Sequence, residues 1–195
     1  MRVVAGRFGG RRLVAPRGRA TRPTADRVRE ALFSMLGDVS HARVLDLYAG
    51  SGALGIEALS RGAQSALFVD SDARAVAVIR RNLTELGADG EVRRQDVVRF
   101  LRAAAAGRTA SRTDDIAPAR AEPAPSRTTF DLVFCDPPYD LAPSPAAALA
   151  EHLPAMTSDH ARIVTESDKR RPLELPLPLL RERTYGDTRI AIHGG

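Results

Sequence analysis

The fold is decided by one stretch of the chain, Val44-Leu45-Asp46-Leu47-Tyr48-Ala49-Gly50-Ser51-Gly52-Ala53-Leu54-Gly55. The apolar run before the glycines predicts a buried strand, and the apolar period that begins at Ala53 predicts a helix. Between them, Gly50-Ser51-Gly52 predicts a turn, because glycine adopts positive φ angles that other residues avoid. A strand, a glycine turn and a helix in this order are typical of a Rossmann-type nucleotide-binding unit, so the stretch predicts an α/β fold.

The acid inside this stretch narrows the kind of ligand. Asp46 stands at the predicted strand end, four residues before the first glycine. A pyrophosphate bound on the turn would meet its negative charge at close range, which is unfavourable. A ligand with an ammonium and a sulfonium group would be attracted instead, and S-adenosylmethionine (SAM) carries both. The turn therefore favours SAM as the cofactor over a dinucleotide.

Two later strands are predicted to end in acids that can bind the rest of such a cofactor. The apolar run 66–70 ends at Asp70, 20 residues after Gly50, where a carboxylate can accept hydrogen bonds from both ribose hydroxyls. Residues 91–95 predict a strand before Asp96, whose carboxylate can accept from the adenine amine or cap the predicted helix 97–105. The predicted cofactor-binding residues are Asp46, Tyr48, Ala49, Gly50, Ser51, Gly52, Asp70, Ser71, Asp96 and Val97.

A further strand, 130–135, leads into Asp136-Pro137-Pro138-Tyr139. The lone pair of an exocyclic base amine is delocalised into the ring, so its methylation needs an acceptor that holds the amine hydrogens. The Asp136 carboxylate and the Pro137 carbonyl can supply this, the prolines stiffen the loop, and Tyr139 can stack on the base. By itself the tetrapeptide could be only a rigid turn. At the carboxyl end of a strand in an open α/β sheet it predicts a catalytic site, because ligands bind there.

The charge of the chain is concentrated at its amino end. Residues 1–29 carry nine arginines and one acid, whereas the net charge of the whole chain is only +5. Such a basic segment is often just a solvated face, but beside a base-methylation motif it predicts a polyanionic partner. We include Arg29 among the predicted RNA-binding residues. A cation near the start of a helix is unfavourable for the helix, so a contact with phosphate explains its position better. The other predicted RNA-binding residues are Arg7, Arg11, Arg12, Arg17, Arg19, Arg22 and Arg27.

The composition excludes several classes of protein. The one cysteine, Cys135, rules out an internal disulfide, suits a reducing cytoplasm, and is expected to be a small core residue. No apolar run approaches the roughly 20 residues of a membrane span, and the first residues lack the apolar centre of a signal peptide. The four histidines show no metal-ligand spacing. We therefore expect a cytoplasmic protein, a monomer, without a membrane or metal partner.

The order of the predicted elements gives the domain organisation. Residues 2–16 predict a β-hairpin turning at Phe8-Gly9-Gly10, followed by a helix capped by Thr24. We divide the chain into an RNA-binding extension, 1–40, and a catalytic domain, 41–195, in which strands and helices alternate before a final antiparallel pair. This predicts a mostly parallel seven-stranded sheet with an antiparallel last strand. Residues 106–128 lack an apolar period and predict a flexible insertion.

The predicted cofactor site begins only at Asp46. Removal of residues 1–21 is therefore expected to leave cofactor binding intact.

With these motifs in hand, the chain resembles the bacterial 16S rRNA guanine-N2 methyltransferases, the RsmD-like family, over nearly its whole length. Arg-Pro-Thr-x-x-Arg-Val-Arg-Glu-Ala-Leu-Phe at 22–33 resembles the family's most specific signature, and residues 46–63 and 136–139 resemble its more widely shared cofactor and catalytic motifs. The resemblance implies a class I methyltransferase fold that binds SAM through the 46–55 turn, Asp70 and Asp96. It also implies catalysis at 136–139 and a guanine of 16S rRNA as the target, within a small-subunit (30S) particle.

Two departures and two alternatives accompany this resemblance. The insertion 106–128 is longer than the family leads us to expect, and Tyr139 stands where some members have Phe, although either ring can stack. An adenine-N6 methyltransferase acting on RNA or DNA shares the Asp-Pro-Pro-Tyr motif, but the chain has no evident room for the target-recognition domain of DNA enzymes. A non-enzymatic assembly factor with the same fold is expected to lack Asp70 or Asp136, and both are present.

Overall fold

The computed structural model describes residues 1–16, 26–110, 129–138 and 145–194, with only the backbone for 107–110. The strands are Arg43–Leu47 (β1), Ser65–Asp70 (β2), Glu91–Arg94 (β3), Phe130–Cys135 (β4), Thr157–Asp168 (β5), Leu179–Tyr185 (β6) and Thr188–Gly194 (β7). The α-helices are Asp26–Leu36 (α1), Ala53–Ser60 (α2), Ala73–Leu86 (α3), Val97–Ala110 (α4) and Ala146–His152 (α5), and a 3-10 turn spans Leu153–Ala155. The predicted cap Thr24 and residues 111–128 of the predicted insertion lie outside the described residues.

The seven strands form one sheet in the order β3-β2-β1-β4-β5-β7-β6. Strands β1 to β5 are parallel, and β7 runs antiparallel to both of its neighbours. The predicted fold class is therefore confirmed. In the centre, Leu45 of β1 lies opposite Leu67 of β2 and Val133 of β4. The chain reverses its strand order at β1, and in open α/β sheets ligands bind at the carboxyl edge beside such a reversal.

Alternation along the strands divides the core into two layers. Val44, Phe68 and Phe134 pack on the side of α1, α2 and α3. Leu45 and Val133 pack on the opposite side, with α4 and α5. Asp46 has the same parity as Val44 and therefore lies toward α2, where it meets the glycine turn. Cys135 is 1% exposed in the second layer, which confirms the expectation of a core residue.

Several boundaries differ from the predicted ones. Helix α4 extends to Ala110 and takes up the first residues of the predicted insertion, and β5 is twice as long as the predicted strand 161–166. Strand β5 is extended by pairing at both ends, where Thr157 meets β4 and Asp168 meets β7. Its outer residues are polar, so apolar periodicity does not reveal them.

The amino-terminal hairpin packs on the main core. Its strands meet at one antiparallel bridge between Arg2 and Arg12, and Val3, Phe8 and Leu13 are each at most 6% exposed within the first core layer. The hairpin was predicted, but its packing on the core formed by the rest of the chain was not. No helix in the part of the chain that the structure describes is long and apolar enough to cross a membrane.

Candidate active site

The glycine turn lies between β1 and α2 at the carboxyl edge of the sheet. Tyr48, Gly50 and Gly52 have φ angles of 58°, 58° and 76°. Gly52 donates to the Ala49 carbonyl at 2.7 Å, which closes the turn immediately before α2. One turn later, a Cβ on Gly55 would lie 2.4 Å from Phe68 Cε1, so only glycine allows α2 to approach β2 so closely.

Asp46 is buried beneath this turn. Its side chain is 2% exposed, and Oδ2 accepts a hydrogen bond from the Gly55 backbone N–H at 2.9 Å. Burial raises the pKa of Asp46 to about 8, with a smaller contribution from the negative charge of Asp70, while the Gly55 hydrogen bond opposes the rise. A cation bound on the turn would favour the ionised form of this carboxyl group.

Asp70 links the end of β2 to the glycine turn. It is 4% exposed, Oδ2 accepts from the Gly50 N–H at 2.9 Å, and Oδ1 accepts from the Asp72 N–H at 2.8 Å. Each carboxylate oxygen can accept more than one hydrogen bond, so the group can still receive ligand hydroxyls. Asp72 in turn caps α3 by accepting from the Arg74 N–H at 2.8 Å.

The remaining predicted cofactor residues surround these two acids. Asp96 is exposed and accepts from the Arg99 N–H at 2.9 Å, so it caps α4, and its adenine contact stays a prediction. The side chain of Val97 is 1% exposed in the second core layer, so only its backbone can face a ligand. Ser71 is exposed, and Tyr48 is half-buried with a pKa raised chiefly by burial.

The predicted catalytic motif follows β4 directly beside β1, since Cys135 pairs with Leu47. Asp136 retains intermediate exposure and Pro137 is buried, while Pro138 is also of intermediate exposure. Desolvation of the carboxyl raises the pKa of Asp136 well above its usual range, and the charges of Glu166 and Asp46 add to this rise. Tyr139 lies outside the described residues.

Glu166 belongs to this edge but was not predicted from the sequence. The pairing of Cys135 with Thr165 puts Asp136 and Glu166 at equivalent positions on neighbouring strands. Glu166 is 6% exposed. In the sequence it was part of a predicted strand, and the apolar residues before it gave no sign that it meets Asp136.

Two buried polar residues of α2 hold the hairpin and were also missed. The Glu57 carboxylate accepts from the N–H groups of Val4 at 2.7 Å and Ala5 at 3.0 Å. The Ser60 hydroxyl accepts from the Phe8 N–H at 2.9 Å. A lone glutamate within an otherwise apolar helix was the available signal, because a charge is rarely buried without partners.

The expected phosphate contact of Arg29 is wrong. Its side chain is fully buried, donates to Asp26 at 2.9 Å and to the Arg2 carbonyl, and lies 3.6 Å from Glu57. A buried cation needs such partners to offset its lost hydration. Arg29 therefore lies near the start of α1 because its partners Asp26, Glu57 and the Arg2 carbonyl are there.

The other predicted RNA-binding residues are divided between exposed and undescribed positions. Arg7, Arg11, Arg12 and Arg27 are exposed, and Arg17, Arg19 and Arg22 lie outside the described residues. The backbone of Arg7 donates to Ser60 at the end of α2, and the Arg11 guanidinium donates to Glu85 near the end of α3. Both helices lead from the carboxyl edge of the sheet to its amino edge, so these two arginines lie away from Asp136.

The fold is that of the class I SAM-dependent methyltransferases. It is shared with a solved Escherichia coli protein described as "Putative methyltransferase yhhF", at a TM-score of 0.75 and 30% identity, over 100% of this chain and 97% of that one. It is also shared with SMU.776, solved in complex with SAH, at a TM-score of 0.62 over 87% of this chain and 49% of that one. With 14% identity, the second likeness shows the fold alone.

The sequence comparisons define the family. The chain belongs to the family described as "Conserved hypothetical protein 95", which it matches over residues 1–194, and which comprises RsmD-like methyltransferases. It is 39% identical to the Bacillus subtilis "Putative rRNA methyltransferase YlbH", over 99% of this chain and 98% of the relative. It is 34% identical to the Haemophilus influenzae "Ribosomal RNA small subunit methyltransferase D", over 95% of this chain and 89% of the relative.

Proposed function

We propose that this protein transfers a methyl group from SAM to the exocyclic N2 amine of a guanine in 16S rRNA. The observation that carries the proposal is the position of Asp136. Cys135 pairs with Leu47, so Asp136 follows β4 directly beside Tyr48, where the glycine turn begins. A cofactor held on the turn and an amine held by Asp136 would therefore be neighbours.

The residues around the turn fit SAM. The cofactor supplies an electrophilic methyl group on a sulfonium. Asp70 supplies hydrogen-bond acceptors that suit ribose hydroxyls, and the carboxyl of Asp46 would ionise beside a bound cation. Two acids at this turn suit cationic groups and disfavour a pyrophosphate. Asp96 is proposed to accept from the adenine amine, with Tyr48, Ala49, Ser51, Ser71 and Val97 lining the same pocket.

Asp136 is proposed to act on the target amine and not on the cofactor. Its carboxylate and the Pro137 carbonyl accept the two amine hydrogens, which directs the nitrogen lone pair toward the methyl group. When the new N–C bond forms, the bond between the methyl group and the sulfonium sulfur would break and leave the neutral thioether. The methylated amine would then give up a proton, which Asp136 would accept. The elevated pKa of this carboxyl makes its ionised form a better base than an ordinary aspartate. Fixed alignment of the two reactants can contribute about 7–11 kcal/mol to lowering the barrier.

The target base must leave its stack to reach this loop, and Tyr139 is proposed to stack on it once it is extruded. The relatives named as ribosomal RNA methyltransferases support rRNA as the substrate class. Exposed arginines of the hairpin and α1 are proposed to bind phosphates elsewhere on the particle, a 30S subunit or its precursor. Arg17, Arg19 and Arg22 complete that proposed set, and the enzyme is proposed to act as a monomer.

The guanine specificity is tested by product analysis. The purified protein is incubated with methyl-labelled SAM and 30S subunits from a strain that lacks this enzyme, and the rRNA is digested and its nucleosides are identified by mass. We expect N2-methylguanosine at one site, and none with the Asp136→Ala variant. Label in N6-methyladenosine would favour the adenine alternative, while SAM binding without transfer to RNA would favour an assembly factor.

A further inference from the structure

The placement of the cofactor residues determines from which side RNA can reach Asp136. Asp46, Asp70 and Asp96 stand at the ends of β1, β2 and the segment after β3, so a cofactor bound by them covers that half of the edge. The opposite neighbour of β4 is β5. A base that reaches Asp136 therefore brings its flanking nucleotides over the end of β5.

Strand β5 continues beyond the end of β4. Cys135 pairs with Thr165, and β5 runs on to Asp168. At about 3.3 Å per residue, the three additional residues raise its end about 10 Å above this pair. The chain then turns through Lys169, Arg170 and Arg171, which places this basic turn (residues 169–171) beyond Asp136 along the direction of β5.

The backbone of the basic turn is fixed. The Asp168 side chain accepts from the Arg170 N–H at 2.7 Å, and its carbonyl accepts from the Arg171 N–H at 3.0 Å. Lys169 is anchored to the β6–β7 turn, where its Nζ donates to the Gly186 carbonyl at 2.9 Å and lies 3.1 Å from Asp187. Lys169 and Asp187 thus neutralise each other.

The two arginines of the turn are exposed. Within the described ranges, neither guanidinium forms an ion pair. The nearest acid in the sequence, Asp168, instead accepts a hydrogen bond from the backbone N–H of Arg170. Guanidinium groups without an ion-pair partner in the protein are available to bind phosphates, to which arginine binds in bidentate geometry. The hairpin residues Arg7 and Arg11 cannot take this role, since they lie toward the amino edge.

We propose that Arg170 and Arg171 bind the phosphates of the nucleotides that flank the target base, and so form the RNA-contact surface closest to the chemistry on the β5 side. This inference rests on the proposed RNA substrate. It adds a second RNA contact, separate from the amino-terminal arginines, that the charge distribution along the sequence does not reveal.

The test compares Arg170→Ala/Arg171→Ala with Arg80→Ala/Arg81→Ala. The control removes the same charge from an adjacent exposed pair on α3, where Arg80 borders the loop before β3 at the amino edge. Affinity for 30S subunits is measured over a range of salt concentrations, and SAM affinity by calorimetry. Two lost phosphate contacts should reduce the slope of log K against log salt by about 1.4–1.8 and raise the KM for 30S at least tenfold, with SAM affinity unchanged.

Lysine substitutions at both positions should retain most of the binding, because they preserve charge. If the 170/171 variant has the same salt-dependence slope and the same KM for 30S subunits as the control variant, the inference is overturned. The proposed function would still stand if the wild-type protein methylates the same particles. If the wild-type protein binds SAM but neither binds nor methylates RNA, both proposals fail. A loss of SAM affinity in the 170/171 variant would show that the turn supports the fold and not the RNA.

Discussion

The side-chain nitrogen of Asn82 donates a hydrogen bond to the Ser51 carbonyl at 2.9 Å, which ties the second half of α3 to the glycine turn. The same amide also holds the hairpin, since Nδ2 donates to the Val14 carbonyl at 3.0 Å and Oδ1 accepts from the Val14 N–H at 2.9 Å. Asn82 is 1% exposed. One buried amide therefore joins the amino-terminal hairpin, α3 and the proposed cofactor loop.

Replacement of Asn82 by alanine should weaken both folding and SAM binding. The change leaves part-buried backbone groups of Val14 and Ser51 without their side-chain partner, at a cost of up to about 1–3 kcal/mol for each group. It also removes the hydrogen bond that holds the turn. We expect a lower melting temperature and a higher SAM Kd, with little change in the single-turnover rate at saturating SAM. Thr84→Ala, on the exposed face of the same helix, is the control. An unchanged SAM Kd in a folded Asn82→Ala protein would contradict the positioning role.

Asp136→Asn and Asp136→Ala should abolish most methyl transfer while SAM still binds. Loss of one preorganised acceptor is expected to reduce the rate by about 10²–10³. Single-turnover assays measure the rate, and calorimetry measures SAM affinity. Asp131→Asn is a matched control on the same strand, because Asp131 pairs with Arg43 at the other end of β4. Transfer by Asp136→Ala near the wild-type rate would exclude the proposed role.

Asp70→Ala should weaken SAM binding by about 1.5–3 kcal/mol, the contribution typical of hydrogen bonds to a charged group. The side chain also holds the Gly50 N–H, so part of the loss comes from a less ordered turn. Asp72→Asn is the control, since asparagine caps a helix as well as aspartate does. If calorimetry finds equal SAM affinity in the wild-type and Asp70→Ala proteins, another residue must hold the ribose.

The buried carboxyl of Asp46 should make the stability of the SAM-free protein depend on pH. Its folded-state pKa of about 8 exceeds the unfolded value of about 3.9, so the folded chain binds this proton more tightly. The resulting stabilisation is full below pH 4 and is lost as the pH rises through 8. Melting temperatures of wild type and Asp46→Asn should therefore diverge toward high pH, with the wild type falling more. Parallel curves from pH 6 to pH 9 would show that Asp46 is ionised without SAM.

Removal of residues 1–16 should unfold or strongly destabilise the protein, contrary to what the charge distribution alone predicts. The truncation exposes the core beneath Val3, Phe8 and Leu13 and leaves Glu57 without the Val4 and Ala5 N–H groups. The triple variant Arg7→Ala/Arg11→Ala/Arg12→Ala should instead fold, bind SAM normally and bind 30S subunits with a weaker salt dependence. Thermal melts and calorimetry distinguish the two variants. A truncated chain with wild-type stability and SAM affinity would mean that the hairpin is dispensable.

The fold and the main acids of the site could be predicted because their signals are local. The strand, glycine turn and helix at 44–60 each depend on periodicity or on φ angles within a few residues, and the acids Asp70 and Asp136 stand where apolar runs end. In a parallel sheet such ends share one edge, so the sequence alone brought these acids together.

The roles of the buried charges were decided only by the tertiary structure. Arg29 meets Glu57, Asn82 joins positions 14 and 51, and Glu166 comes to lie beside Asp136, all across large separations in sequence. In the sequence, Arg29 looked like the other eight arginines of the basic segment. Whether a charge is buried depends on desolvation balanced by partners that arrive from distant elements, and no local pattern encodes that balance.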